Sequence, residues 1–239
     1  GELVVVTGGD GKCPGLLAYD RKNGEETWRS APSELGYSSP ALATIAGTPQ
    51  VLLLNYNTVT ANDPSNGGVL WSHPWPGGNP KVTQPVPVSE DRILVSSGYG
   101  VGAELFEVQR DERGAFTTNS IWKNRNLKSK FANIVIHEEN AYGLDDGIMV
   151  CINLQTGKRR WKGGRYGHGQ LLLAGNILLV MAESGEMALV RPDPGGLREL
   201  SRVRMIEGKS WNHPALAPPY LLVRNAREAA CYKLQSGGG

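Results

Sequence analysis

Four histidines, three cysteines and the one adjacent acidic pair that is followed by Gly are the residues whose types could carry chemistry in this sequence. The histidines are His73, His137, His168 and His213. An imidazole can move a proton near neutral pH or ligate a metal, but a metal needs several such side chains to converge. Cys13, Cys151 and Cys231 form no C-x-x-C. Their number and spacing argue against a zinc ribbon and against a disulfide scaffold. Cys151 and Cys231 lie in strand-like apolar runs and read as small buried hydrophobes. Asp145-Asp146-Gly147 lacks the ligand spacing of a calcium loop and reads as a solvated turn. Gly98-Tyr99-Gly100-Val101-Gly102 mimics part of a dinucleotide fingerprint, but no helix follows it, so a hairpin turn is expected. There is no G-x-S-x-G. These residues point to no catalytic constellation.

Composition narrows the field further. The chain has 239 residues with 31 Gly and 15 Pro, a usage that implies many tight turns and therefore many short strands. A formal net charge of +2 supplies no field for nucleic-acid binding. No apolar run approaches the roughly 18 residues of a membrane span. No signal peptide opens the sequence, and without an initiator Met the chain is expected to continue upstream.

The elements that position these residues follow from a repeat. Ala18-Tyr19-Asp20 leads through Gly24 to Trp28, Ala61-Asn62-Asp63 through Gly67 to Trp71, and Cys151-Ile152-Asn153 through Gly157 to Trp161. Looser copies contain Gly114 with Trp122, then Gly195, then Gly237. The turn glycines are spaced by 43, 47, 43, 38 and 42 residues. A second marker keeps step: Ser39-Pro40, Gln84-Pro85, Ala132-Asn133, Gly169-Gln170 and His213-Pro214 all open apolar runs. Each period divides into four short strands. Four strands in about 43 residues is the arithmetic of a β-propeller blade. The Asp or Asn fixes the turn through its own backbone, the Gly accepts positive φ, and the Trp covers the seam to the next blade. The fifth copy lacks the Trp, with Leu200 nearby, and should have the weakest outer seam.

The A-x-D-x-x-x-G-x-x-x-W frame resembles the tryptophan-docking repeat of quinoprotein-type, PQQ-like β-propellers. Ala18, Asp20, Gly24 and Trp28 carry it best, Ala61, Asp63, Gly67 and Trp71 repeat it, and Asn153, Gly157 and Trp161 match with Asn for Asp. The resemblance implies an all-β propeller and, in bacteria, an extracytoplasmic location, periplasmic or at the cell surface. The dehydrogenases of that family hold pyrroloquinoline quinone over calcium, often beside a cysteine pair. This chain has no such pair and no carboxylate cluster matching that calcium site. The expectation is therefore a non-enzyme with no cofactor and no metal. The alternative is part of a quinone-dependent dehydrogenase using pyrroloquinoline quinone with calcium. A lipoprotein of the outer-membrane assembly machinery with this fold presents its rim to partner proteins, and that analogy sets the leading function: a scaffold or binding module for a protein partner or another domain of the parent chain.

The loops joining one blade's outer strand to the next blade's inner strand carry the candidate binding residues. These are Tyr37, Trp75, Arg125, Lys128, Arg165, Tyr166, His168, Trp211 and His213. Aromatic anchors beside Arg are the composition of interaction sites. His168 and His213 fall at nearly the same phase, without a third ligand there. The whole chain, 1–239, is expected to form one propeller domain. Its units span about 1–30, 38–72, 83–123, 131–162, 168–204 and 212–235, the first and last being partial. That is 22 strands, about five and a half blades, and an arc of a seven- or eight-bladed propeller.

Overall fold

Short Val-, Leu- and Ile-rich runs become strands here because branched side chains pack on a pleated surface, while Gly, Asn, Asp and Pro at their ends turn the chain. The computed structural model describes residues 1–8, 15–34 and 36–234. Cys13 and the turn glycine Gly237 lie outside them. The described residues form 22 strands and no helix, so none contains a helix long and apolar enough to cross a membrane. The strands make six antiparallel sheets, each built from sequence neighbours. The chain divides into two compact units, Gly1–Lys128 and Ser129–Gly239.

The first unit holds three sheets. The first joins β1 (Leu3–Thr7), β2 (Leu16–Asp20) and β3 (Glu26–Arg29). The second joins β4 (Ala41–Ile45), β5 (Thr48–Leu54), β6 (Thr58–Asn62) and β7 (Val69–Pro74). The third joins β8 (Val86–Pro87), β9 (Arg92–Ser97), β10 (Gly102–Arg110) and β11 (Phe116–Asn124). In the second unit, one sheet comprises β12 (Val135–His137), β13 (Asn140–Asp145), β14 (Ile148–Asn153) and β15 (Arg159–Arg165). The next comprises β16 (Gln170–Ala174), β17 (Ile177–Met181), β18 (Glu186–Arg191) and β19 (Arg198–Arg204). The last has β20 (Ala215–Ala217), β21 (Tyr220–Arg224) and β22 (Ala229–Lys233).

The strand count matches the sequence reading, but the expected five and a half blades of a seven- or eight-bladed parent give way to six. Dividing length by the repeat treated the terminal three-stranded units as broken pieces. Each instead forms its own sheet with an apolar face. Leu16, Ala18 and Trp28 pack against Val51 and Leu53 of the second sheet. Leu221 and Val223 of the last sheet pack with Leu179, Met181 and Met187 of the fifth. The cores thus lie between successive sheets.

The turn motif does what its chemistry predicts. The Asp20, Asp63 and Asn153 side chains accept from the backbone N–H groups of Lys22, Ser65 and Thr156 at 2.7, 2.8 and 2.9 Å. Asp111, not singled out from the sequence, does the same for Arg113 and Ala115 in the third sheet. Each of the five outer strands carries a bulge at one phase. Trp28 pairs with Ala18 but Glu26 with Tyr19, which leaves Thr27 unpaired. Trp71 opposite Ala61, Trp122 opposite Leu105 and Trp161 opposite Cys151 repeat this register. In the fifth sheet Ser201 faces Leu189, so Ser201 holds the tryptophan position and Leu200 is the bulged residue.

Two further expectations are corrected. Asp145 is not in a solvated turn: it is buried at 1% exposure and ion-paired to Lys162. Only Asp146 is exposed, with its carboxylate 3.4 Å from Lys130 Nζ. Cys231 is exposed rather than buried, because β22 is the edge strand of its three-stranded sheet among the described residues, whereas Cys151 is buried as expected. The Gly98–Gly102 segment is the β9–β10 hairpin connection, as read.

Candidate rim interaction site

In the second unit the segments leading into three inner strands bring aromatic rings together. Phe131 precedes β12, His168 precedes β16 and Trp211 precedes β20. The Phe131 ring meets His168 edge-on at 5.4 Å and Trp211 at 5.2 Å with a 35° tilt. Glu183, just after β17, holds the group. Its two carboxylate oxygens accept from the Trp211 indole N–H at 2.9 Å and the His168 backbone N–H at 3.0 Å. Lys209 Nζ lies 3.6 Å from the same carboxylate and 4.5 Å from the Trp211 ring centre. The His168 N–H is the strongest of the influences that hold the Glu183 carboxyl below its ordinary value, and the Trp211 and Lys209 contacts add to it. Gly167 makes the approach possible: it has φ +64°, and a Cβ there would sit 2.6 Å from a Glu183 carboxylate oxygen.

Gln170 ties this arrangement to the scaffold. Its side-chain amide donates to the carbonyls of Phe131 and Trp211, both at 3.0 Å, and so bridges its two neighbouring sheets. Gln84, at the same phase in the first unit, donates to the carbonyls of Ser39 and Pro40 at 3.3 and 3.2 Å and so ties its strand run to the sheet before it. Neither glutamine, nor Phe131, Glu183 or Lys209, was singled out from the sequence. The signal was present only as phase, since Gln84 and Gln170 both open an inner-strand run.

Beside the aromatic group lie two open cavities. One of about 400 Å³ is lined by Lys209, Trp211, Asn225 and Arg227. The other, of about 580 Å³, is lined by Arg165, Tyr166, Ser184, Arg202 and Lys209. Trp211 keeps 45% of its surface exposed. Tyr166 is buried beneath, its hydroxyl donating to Glu199 at 2.6 Å. His213 is exposed, and its Nδ1 lies 3.0 Å from the carbonyl of Pro214. No contact joins His213 to His168 among the described residues.

The candidates of the first unit do not gather in the same way. Tyr37 is 78% exposed, with its backbone N–H on the Lys81 carbonyl at 2.6 Å. Arg125 is exposed and Lys128 half-buried. Trp75 is fully buried, and its indole donates to Ser97 Oγ at 2.9 Å. Behind it, His73 of β7 stacks on Phe106 of β10 with ring centres 4.0 Å apart and reaches Glu104 at 3.0 Å.

The repeat tryptophans serve packing. The Trp28 indole donates to the Pro64 carbonyl at 3.0 Å, and Trp161 donates to Asp193 at 2.7 Å, each in the next sheet's outer turn. Gly67 leaves room for this docking, since a Cβ there would lie 2.6 Å from the Trp28 ring. Trp71 instead donates to Gln50 at 2.7 Å within its own sheet and sets its ring edge against Phe106.

The profile of the family described as outer membrane protein assembly factor BamB matches residues 1–163. The chain belongs to this family. No curated protein matches it. Among solved structures, BamB from Moraxella catarrhalis aligns at 15% identity with a TM-score of 0.55, covering 100% of this chain and 81% of its own. A computationally designed protein, Ika8, aligns at 14% identity and TM-score 0.67, covering 100% and 70%. A proposed 6-phosphogluconolactonase from Bacteroides uniformis aligns at 12% and 0.64, covering 100% and 80%. At these identities the likeness is one of fold, the β-propeller. Among the described residues no cluster of three or more His, Cys, Asp or Glu is placed to hold a metal ion.

Proposed function

We propose that this chain is a non-catalytic, extracytoplasmic propeller that presents the rim loops of its second unit to a protein partner. The observation that carries the reading is the Phe131–His168–Trp211 group, in which a half-exposed indole lining an open cavity is fixed by Glu183. A pre-positioned Trp beside cations is the composition of an interface anchor, because little side-chain freedom is lost on binding. Membership of the BamB family supports a partner-binding role. Trp211→Ala tests it. In co-purification from the native envelope, partner bands should be lost while the thermal midpoint of the isolated chain stays close to wild type. Unchanged co-purification removes the reading.

A further inference from the structure

Lys81 is the most anomalous residue outside the rim group. It sits in the loop between β7 and β8 and is fully buried. Its Nζ has no hydrogen-bond partner among the described residues. A buried ammonium without a partner is costly, and proteins normally answer it with a carboxylate, a bound anion or deprotonation. The surroundings explain why it is unanswered. Lys81 Nζ lies 5.7 Å from the centre of the Trp75 ring, and Lys123 Nζ lies 4.5 Å from the same ring. Lys123 is answered by Glu104, whose carboxylate lies 2.9 Å from Lys123 Nζ and 3.0 Å from His73, whereas no ion pair reaches Lys81 among the described residues. Of the two ammoniums at the Trp75 ring, Lys123 has a carboxylate and Lys81 has none.

We propose that Lys81, with Lys123 beside it over the Trp75 indole, is a seat for one further carboxylate, supplied by a small organic acid or by an acidic side chain of a partner. Lys81 is a single buried cation without a partner, which calls for one negative charge, and the carboxylate that answers Lys123 shows the class that fits. Lys123, with 46% of its side chain exposed, forms the side of the seat that can move to admit it. The site belongs to the first unit and does not depend on the rim reading, since Trp211→Ala leaves every named group in place.

Burial, with the Lys123 charge adding to it, brings the Lys81 ammonium down to about 8. The charged form thus prevails below that pH, and an anion that binds it must raise the midpoint. The test follows Lys81 in the lysine-labelled full chain by NMR, titrating pH in acetate and in chloride at equal ionic strength. Acetate should raise the Lys81 midpoint by about one unit, a tenfold preference for the charged form. It should also raise the thermal midpoint at pH 6.5 and not at pH 10, and Lys81→Met should lose that gain. A glutamate-bearing pentapeptide and its glutamine counterpart distinguish the sources. A stronger effect from the glutamate peptide than from acetate assigns the seat to a partner side chain, and the reverse assigns it to a free acid. Equal responses to acetate and chloride, or a gain kept by Lys81→Met, overturn the proposal. Should Lys81→Met fail to fold, the wild-type titration alone decides.

Discussion

Lys81 and the two cysteines show how burial sets the behaviour of single residues. Burial, with the Lys123 charge, holds the folded Lys81 ammonium at about 8 against an ordinary 10.5. The unfolded chain then binds the proton more tightly, so stability rises with pH between those values. Below pH 8 the full penalty is present, about 3 kcal/mol at 1.36 kcal/mol per unit. In chloride buffer, Lys81→Met should therefore raise the urea midpoint at pH 7, and the difference from wild type should shrink toward pH 10. A constant difference would show that the ammonium is not what the buried site penalises. Glu104 carries the opposite sign. Burial pushes its carboxyl up, but contacts from His73, Lys123 and Ser120 outweigh burial and hold it below its ordinary value. Its share of stability is present above pH 4.5 and is lost as pH falls through the folded value. Among the thiols, burial raises Cys151 to about 11, while Cys231 is exposed. Iodoacetamide at pH 8 should label Cys231 and spare Cys151 in the folded chain, because the thiolate is the reactive form. Peptide mass spectrometry reads both sites, and labelling of Cys151 would show that the fourth sheet opens.

Among the elements, the outer strand with its bulge and docking indole is the repeated unit of stability. Trp161→Phe removes the hydrogen bond to Asp193 while keeping most of the ring, and should cost about 1 kcal/mol in denaturant unfolding. Trp28→Ala also empties a site only 8% exposed and should cost about 3–5 kcal/mol. In the fifth sheet the equivalent position is Ser201. Ser201→Trp should raise the melting temperature of the chain if the position accepts the docked indole. A Trp at Leu200, the bulged residue, should not. This is also where the sequence was hardest to read. Asp20, Gly24 and Trp28 were legible because turn chemistry acts over a few residues. The identity of the tryptophan position depended on a one-residue bulge that no local pattern marks. The roles of Gln170 and Glu183 were not legible for a related reason: their partners lie on neighbouring sheets, dozens of residues away, and only packing brings them together.

At the scale of the whole molecule, six sheets built by one local rule leave the chemistry to what their loops and seams assemble, and the fold itself is neutral between binding and catalysis. The acidic groups bear on one catalytic alternative, the calcium-held quinone. A quinone held over calcium needs several oxygen donors free to converge on one ion. Here four carboxylates are already committed: Glu104 to His73 and Lys123, Asp145 to Lys162, Glu183 to Trp211 and His168, and Glu199 to Arg202 and Tyr166. Recruiting any of them would break a bond that fixes a strand or a rim loop. Incubation with pyrroloquinoline quinone and calcium should accordingly leave the cofactor's absorbance unshifted, support no dye reduction with alcohol or sugar substrates, and leave the melting curve in place. Ligand at 100 times its dissociation constant would add about 2.7 kcal/mol, which a melting curve resolves readily. An upward shift that requires both calcium and the quinone would overturn the non-catalytic reading and would require one of these committed carboxylates to change partners.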